Sequence, residues 1–434
     1  MTEEKQENQC GKSELLLFEV PPLQVQIEEG KWDVIPTKSN LDSNNVIRFD
    51  IPGSSNYFIS VGDTELHLDV FVAKADKTTG FIGETTKVAP VNNLLHSLFE
   101  QVTVELNNTL VENSNSCYAY RAYMETLLNA NKEYKETVLQ AGNAWYKDSG
   151  DFEALTISET NPGFLARHKL FAGAATIQLC GKLHCDFFSQ PRLLLPNVDI
   201  GIELTRSRPD FYMLSDDSAD WFVHISRARL KVRRVTVSPS ATFDILQGLQ
   251  TNTAKYPIRR TLVKRIVTSY SAQTFSLTDI CKGIMPDTVI VGFVKTSAAS
   301  GNKKQNPFCF QNLNIKSLQL KVNSHALPYS SPLELDFANG RYMEAYMALY
   351  KNLTNEANDI SYKEFKNGNT LFAFDLTPDM CSGGHQNVAL DGSLELDISM
   401  SAAFEGSITA YVLLDFNNLI QIDNTRRIIV NYKI

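Results

Sequence analysis

The feature that most constrains this chain is an apolar–polar alternation of period two. Val102, Val104 and Leu106 enclose Thr103 and Glu105; Leu318, Leu320 and Val322 enclose Gln319 and Lys321; Leu394, Leu396 and Ile398 enclose Glu395 and Asp397. Successive side chains of a strand point to opposite faces, so each run suits a strand with one face in a core. Polar clusters separate the runs, among them Gly53 to Asn56, Asn113 to Asn115, Ser300 to Asn302 and Cys381 to Gly384. Helical spacing is rare. Tyr120, Tyr123, Met124 and Leu127 follow the i, i+3, i+4, i+7 rule, as do Tyr342, Ala345, Tyr346 and Leu349. A third short helix is expected from Pro239 to Leu249, with Ser238 or Ser240 near its start.

Four weak echoes recur in the same order in both halves. Phe71-Val72 returns as Phe293-Val294, and the strand and turn ending at Asn107 return at Asn323. The Tyr-rich helix from Tyr120 returns at Tyr342, and Gly181-x-Leu183-x-x-Asp186-Phe187 returns as Gly392-x-Leu394-x-x-Asp397-Ile398. Any two β domains share strands and turns, but four collinear echoes at similar separations point to two copies of one β-rich unit. A length of 434 residues has room for two such units. Each would hold several strands and one short helix inserted after a hairpin, which suits two-sheet sandwiches, eight-stranded jelly rolls included. The junction is expected near Gln250 to Thr253, and the polar, charged residues 1–17 read as a loose arm.

Composition excludes several functions. Asp and Glu number 49 against 41 Lys and Arg, a net charge of -8, whereas a dedicated nucleic-acid binder carries a basic excess. No run approaches the ~20 apolar residues of a membrane span. Met1 to Ser13 is unlike a secretory signal, and seven irregularly spaced cysteines argue against a disulfide scaffold and for a reducing compartment.

Catalytic signatures are missing. Gly11-Lys12-Ser13 resembles the end of a phosphate loop, but no strand precedes it, and no nucleophile elbow, metalloprotease or dinucleotide motif occurs. Cys180, His184 and Cys185 form the tightest cluster of soft ligands. On an alternating strand Cys185 shares the core face with Leu183 and Phe187 while His184 points away, so the ligands diverge and no metal is expected. Cys381 and His385 in a Gly-rich loop are no better. Asp186 and Asp397, at matching places in the echoes, favour a structural role. No enzyme activity, catalytic residue or cofactor is expected.

The strongest charge feature is Arg227, Arg229, Lys231 and Arg233. Spaced two apart, they project from one face of a strand while Ala228, Leu230 and Val232 take the other. They form either a positive stripe that meets nucleic acid or an acidic neighbouring subunit, or a solvated sheet face or an edge strand guarded by charge, the reading favoured here. Arg259, Arg260, Lys264 and Arg265 form a second, less regular cluster.

Several stretches together carry a resemblance. They are Leu17 to Pro22 continuing to Ile27 to Trp32, Asn93 to Phe99, Tyr118 to Tyr123, Asn306 to Phe310, Phe374 to Asp379 and Ile422 to Arg427. In collinear order over nearly the whole chain, they resemble the double jelly-roll major capsid proteins of Polinton (Maverick) elements and adintoviruses. Cys381 to His385 and the tail before Ser13 depart from that pattern. The resemblance implies an all-β fold of two tandem eight-stranded jelly rolls with short inserted helices, over 18–250 and 251–434. It implies a homotrimer with a pseudo-hexagonal outline, whose copies tile an icosahedral shell around double-stranded DNA in the virion. Neighbouring capsomers, a minor (penton) capsid protein and weak non-specific DNA contact are the implied partners. The alternatives are a minor capsid protein, which usually needs one jelly roll, and a two-domain β-sandwich that binds or hydrolyses carbohydrate, which needs converging aromatics or carboxylates.

Overall fold

The alternating runs do form strands. The computed structural model describes residues 23–41, 44–74, 82–173, 175–269, 273–352, 358–380, 386–404 and 406–430. The expected arm, Gly11 to Ser13 and the Cys381 to His385 loop lie outside these residues. In the first half the main strands are β1 (Ile27–Pro36), β2 (Val46–Ile51), β3 (Phe58–Ala73), β4 (Phe99–Leu106), β5 (Thr109–Asn113), β6 (Ile177–Lys182), β7 (Ile200–Arg206) and β8 (Phe222–Val237). In the second they are β9 (Ala254–Ser269), β10 (Thr274–Ile284), β11 (Thr288–Lys295), β12 (Ile315–Val322), β13 (His325–Ala326), β14 (Leu371–Asp375), β15 (Asp391–Met400) and β16 (Ser407–Ile422).

The first set makes two sheets, β1-β8-β3-β6 and β2-β7-β4-β5; the second makes β9-β16-β11-β14 and β10-β15-β12-β13. Numbered from one to eight within its own set, each half reads 1-8-3-6 and 2-7-4-5. That is the strand order of an eight-stranded jelly roll, in which each sheet buries one face against the other. Val102, Val104 and Leu106, like Leu318 and Leu320 and like Leu394, Leu396 and Ile398, are almost wholly buried in the two cores.

Three of the four echoes fall at equivalent places. Phe71-Val72 and Phe293-Val294 lie on the third strand of their sets, and Asn107 and Asn323 open the turns between fourth and fifth strands. Helices α1 (Tyr118–Asn129) and α4 (Met343–Lys351) follow the fifth strand of their sets; between them come α2 (Pro162–Phe171) and α3 (Pro239–Gly248). Ser238 caps α3 by accepting from the Ala241 N–H. The fourth echo does not hold: Gly181 lies on the sixth strand of its set and Gly392 on the seventh. A Gly-x-Leu spacing fits any half-buried strand, and it matched two that are not counterparts. Asp186 is buried, whereas Asp397 sits on an outer face paired with Lys321.

The two units differ in what covers their first sheets. On β8 burial alternates, with Ala228, Leu230 and Val232 inside and the basic residues outside. On β11 and the first half of β16 burial is continuous. Helix α1, from the first unit, explains the difference. Its Tyr120 ring stacks on Tyr411 of β16 at 3.6 Å, and its Tyr123 ring stacks on Phe308 at 4.2 Å. A strand covered on both faces carries an unbroken apolar run, such as Val289 to Val294 or Ala410 to Leu414. Helix α1 is itself buried almost all round, Arg121 included, because both units close on it. The amphipathic spacing of its sequence predicts only one buried face.

The basic stripe does not guard an edge. Strand β8 is paired on both sides, with β1 and with β3. Its charges instead lie on the outer face of a central strand, where water solvates them.

Candidate functional site

No catalytic constellation dominates the described residues; the most densely connected polar feature is the joint between the two units. It is built around Arg121 of α1, whose side chain is only 4% exposed. Its guanidinium donates to Glu112 at 2.8 Å, to Glu125 one turn along the helix at 2.7 Å and to Asp186 at 2.7 Å. Asp186 also accepts from the backbone N–H of Thr261 in β9 at 3.0 Å. The Thr261 hydroxyl donates to Asp415 of β16 at 2.8 Å, and Asp415 meets Arg259 at 3.0 Å. One chain of hydrogen bonds therefore runs from the core of the first unit into the second.

Charge balance sets the protonation here. Burial, then the nearby Asp186 charge, pushes the Glu112 carboxyl up to about 8, with Arg121 opposing. Burial also acts to raise Glu125, but Arg121 and the hydrogen bond to His184 outweigh it and hold that carboxyl down to about 2. Three carboxylates around one guanidinium exceed what a buried site holds fully ionised, and burial pushes both the Glu112 and the Asp186 carboxyls up.

Other buried contacts fasten the same joint. Arg167 is fully buried and pairs with Asp148 at 2.7 Å, and Asp148 accepts from Asn306 of the second unit at 2.9 Å. Lys135 donates to Asp359 at 2.5 Å. Tyr256 of β9 donates to the Leu193 carbonyl and accepts from the Leu195 N–H. A joint with this many buried, satisfied polar groups resists sliding, since each broken pair leaves a charge or dipole without water.

The predicted stripe lies elsewhere, on the outer face of the first unit. Arg227, Arg229 and Lys231 stand across from Asp69, His67 and Glu65 of β3, and Arg233 pairs with Asp63 at 3.1 Å. Three of the four basic positions thus have an acidic neighbour, which lowers the potential the stripe projects, while Arg229 faces the imidazole of His67. On its other side β1 presents Trp32 and Val34, 52% and 51% exposed. Cys180, His184 and Cys185 face three different surroundings. Cys180 lies 3.3 Å from His67, Cys185 is buried, and His184 sits against α1 with Nδ1 2.6 Å from Glu125. His184 does not point away from the protein, because β6 ends at Lys182 and the alternation stops there.

A half-open groove of about 880 Å³ runs between Asn314 to Ser317 and Glu334 to Phe337. Hydrolysis of a sugar needs a carboxylic acid that keeps its proton. Asp336 is the reverse: hydrogen bonds from Arg341 and Asn339 hold its carboxyl well below the usual range.

No family model matches the chain. An uncharacterized protein of Caenorhabditis elegans is 22% identical over 445 residues, covering 95% of this chain and 99% of that one. Among solved structures, a chain of the Sputnik virophage aligns over 98% of this chain and 93% of its own, with a TM-score of 0.67 at 11% identity. The mavirus major capsid protein aligns over 99% and 95%, with a TM-score of 0.58 at 13% identity. A chain of the PBCV-1 virus capsid covers 96% of this one at TM-score 0.59 and 9% identity. These alignments span both units at once, so the likeness extends to the whole two-unit fold. The chain is a double jelly roll.

Within this double jelly roll, sequence reasoning missed both the joint and a second cluster. The signal for the joint was present: Arg121 and Glu125, four apart, interrupt an otherwise apolar helix. The second cluster is Glu65, His67 and Cys180, brought together on the outer face where β3 pairs with β6. Glu65-x-His67 is visible as an i, i+2 pair. Nothing local says that Cys180 lies opposite.

Proposed function

We propose that this double jelly roll is the major capsid protein of an icosahedral shell, of the kind carried by Polinton (Maverick) elements and adintoviruses. Three copies, each contributing two jelly rolls, form a pseudo-hexagonal capsomer, and capsomers tile the shell of a virion assembled inside a host cell. The observation that carries this reading is the pair of units with one strand order, held as one body by the buried Arg121–Asp186–Thr261 joint. A subunit that occupies two of six corners needs that rigidity, because error at the joint accumulates around a closed ring. The full-length likeness to the mavirus major capsid protein supports the same role.

The role is structural rather than catalytic. Residues 18–250 and 251–434 are the two wall units and 1–17 an arm toward the interior or a neighbour. A penton protein closes the vertices, and the double-stranded DNA inside meets the shell through weak, non-specific contacts. Among the described residues no helix is long and apolar enough to cross a membrane.

Native mass and shape test this directly. Light scattering and negative-stain imaging of the expressed chain are expected to show three-copy particles with a six-cornered outline. A compact monomer with no tendency to associate would overturn the proposal.

A further inference from the structure

We propose that Glu65, His67 and Cys180 form a binding site for one zinc-class divalent cation on the outer face of the first jelly roll. The inference stands independently of the capsid reading. Glu65 and His67 are two apart on β3 and share a face. Cys180 on β6 is the cross-strand partner of His67. The Cys180 sulfur lies 3.3 Å from His67 Nε2 and 3.8 Å from Glu65 Oε2, and that oxygen lies 3.1 Å from the same nitrogen. Tetrahedral zinc, with sulfur at about 2.3 Å and nitrogen or oxygen at about 2.0–2.1 Å, sets its donors about 3.3–3.6 Å apart. The observed triangle needs adjustments of only a few tenths of an ångström.

The geometry favours an ion over a nucleophile. A cysteine activated by a histidine–carboxylate pair needs the sulfur at one ring nitrogen and the carboxylate at the other. Here sulfur and carboxylate both meet Nε2, so the carboxylate cannot orient the ring toward the thiol. Three donors converging on one point match what a cation requires, with water completing the fourth position.

Binding is a proton exchange. The Cys180 thiol releases its proton to solvent as the sulfur–metal bond forms. His67 coordinates as the neutral imidazole through Nε2, the nitrogen that faces both other donors. Thiolate and carboxylate then cancel the two charges of the ion. Arg229 and Lys231, opposite His67 and Glu65 on β8, would repel a bare cation but face a neutral complex. The ion ties β6, whose only strand partner among the described residues is β3, to the middle of the sheet.

The test uses the full chain, stripped with a chelator and titrated with Zn²⁺ by calorimetry and with Co²⁺ by absorption. One ion per chain is expected, with release of about one proton, a thiolate-to-cobalt charge-transfer band and a raised Tm. Cys180→Ser and His67→Ala should each weaken binding by more than about 100-fold, beyond the cost of an outer-shell change. Cys180→Ser should also abolish the sulfur band. Glu65→Gln, the mildest change, should weaken binding and keep the band, which guards against variants that fail to fold. Cys281→Ser and Cys381→Ser should change neither. Absence of saturable uptake, or a sulfur band that survives Cys180→Ser, would overturn the site.

Discussion

Asn107 and Asn323 make the same pair of hydrogen bonds in the two halves of the chain. Each opens a two-residue hairpin turn with left-handed backbone, φ 46° at Asn107 and 51° at Asn323. The Asn107 N–H donates to the Asp199 carbonyl at 3.0 Å while its side-chain oxygen accepts from the Asp199 N–H at 2.8 Å. Asn323 does the same to Ser393, at 2.9 Å each. Both partners lie at the start of the seventh strand of their set. The turn therefore fixes the register of the 2-7-4-5 sheet in each unit through one short side chain that tolerates φ > 0.

Asn107→Ala and Asn323→Ala are expected to cost about 1–2 kcal/mol each, the sum of a lost hydrogen bond and a strained left-handed alanine. Gly at either position should recover the backbone part only. Urea unfolding measures this. Asn107 should be the more sensitive, because its amide donates to the Arg426 carbonyl of the second unit at 3.0 Å, whereas the Asn323 amide reaches the Asp391 carbonyl only at 3.5 Å. Equal and negligible losses at both sites would refute the register role.

Removing Arg121 leaves Asp186 and Glu125 without their guanidinium partner and takes a hydrogen-bond donor from the buried Glu112. Arg121→Met is expected to destabilise the chain by about 3–5 kcal/mol, as for other broken buried pairs. Lys321→Met, which breaks the outer-face pair with Asp397, should change stability little. Denaturant midpoints of the two variants decide the ranking.

Stability should also depend on Glu112 protonation. Its folded value, about 8, lies above its ordinary 4.5, so between these values the folded chain holds a proton the unfolded chain has lost. This group's contribution therefore falls as pH rises from about 4.5 to about 8. Glu125 behaves oppositely: with its carboxyl held down to about 2, its contribution is present above 4.5 and lost as pH falls toward 2. Glu112→Gln should flatten the decline on the alkaline side. Unfolding curves across this range, wild type against variant, test it, and parallel curves would count against the assignment.

The basic stripe should add little to DNA binding. Asp63, Glu65 and Asp69 lie along it, so duplex affinity is expected to be weak, with a shallow dependence on salt. Changing Arg227, Arg229 and Lys231 to Gln should lower the log–log salt slope by well under the ~2.7 that three phosphate contacts would contribute. A steep slope abolished by those changes would show a dedicated nucleic-acid surface.

Residues 102–106, 318–322 and 394–398 announced their strands, and Asn107 and Asn323 their turns, because periodicity and left-handed turns are local properties that a sequence writes directly. The open face of β8 was legible in the alternation from Arg227 to Arg233. Other facts were decided only by the tertiary structure. Gly181 and Gly392 resembled counterparts and are not. The spacing of Tyr120, Tyr123, Met124 and Leu127 predicts one buried face, and Arg121, outside it, is the centre of a buried joint. Glu65 meets Cys180, 115 positions away, because β3 pairs with β6. Which strands pair, and which outer face the neighbouring unit covers, is settled by long-range packing of whole sheets, and no window of adjacent residues contains that information.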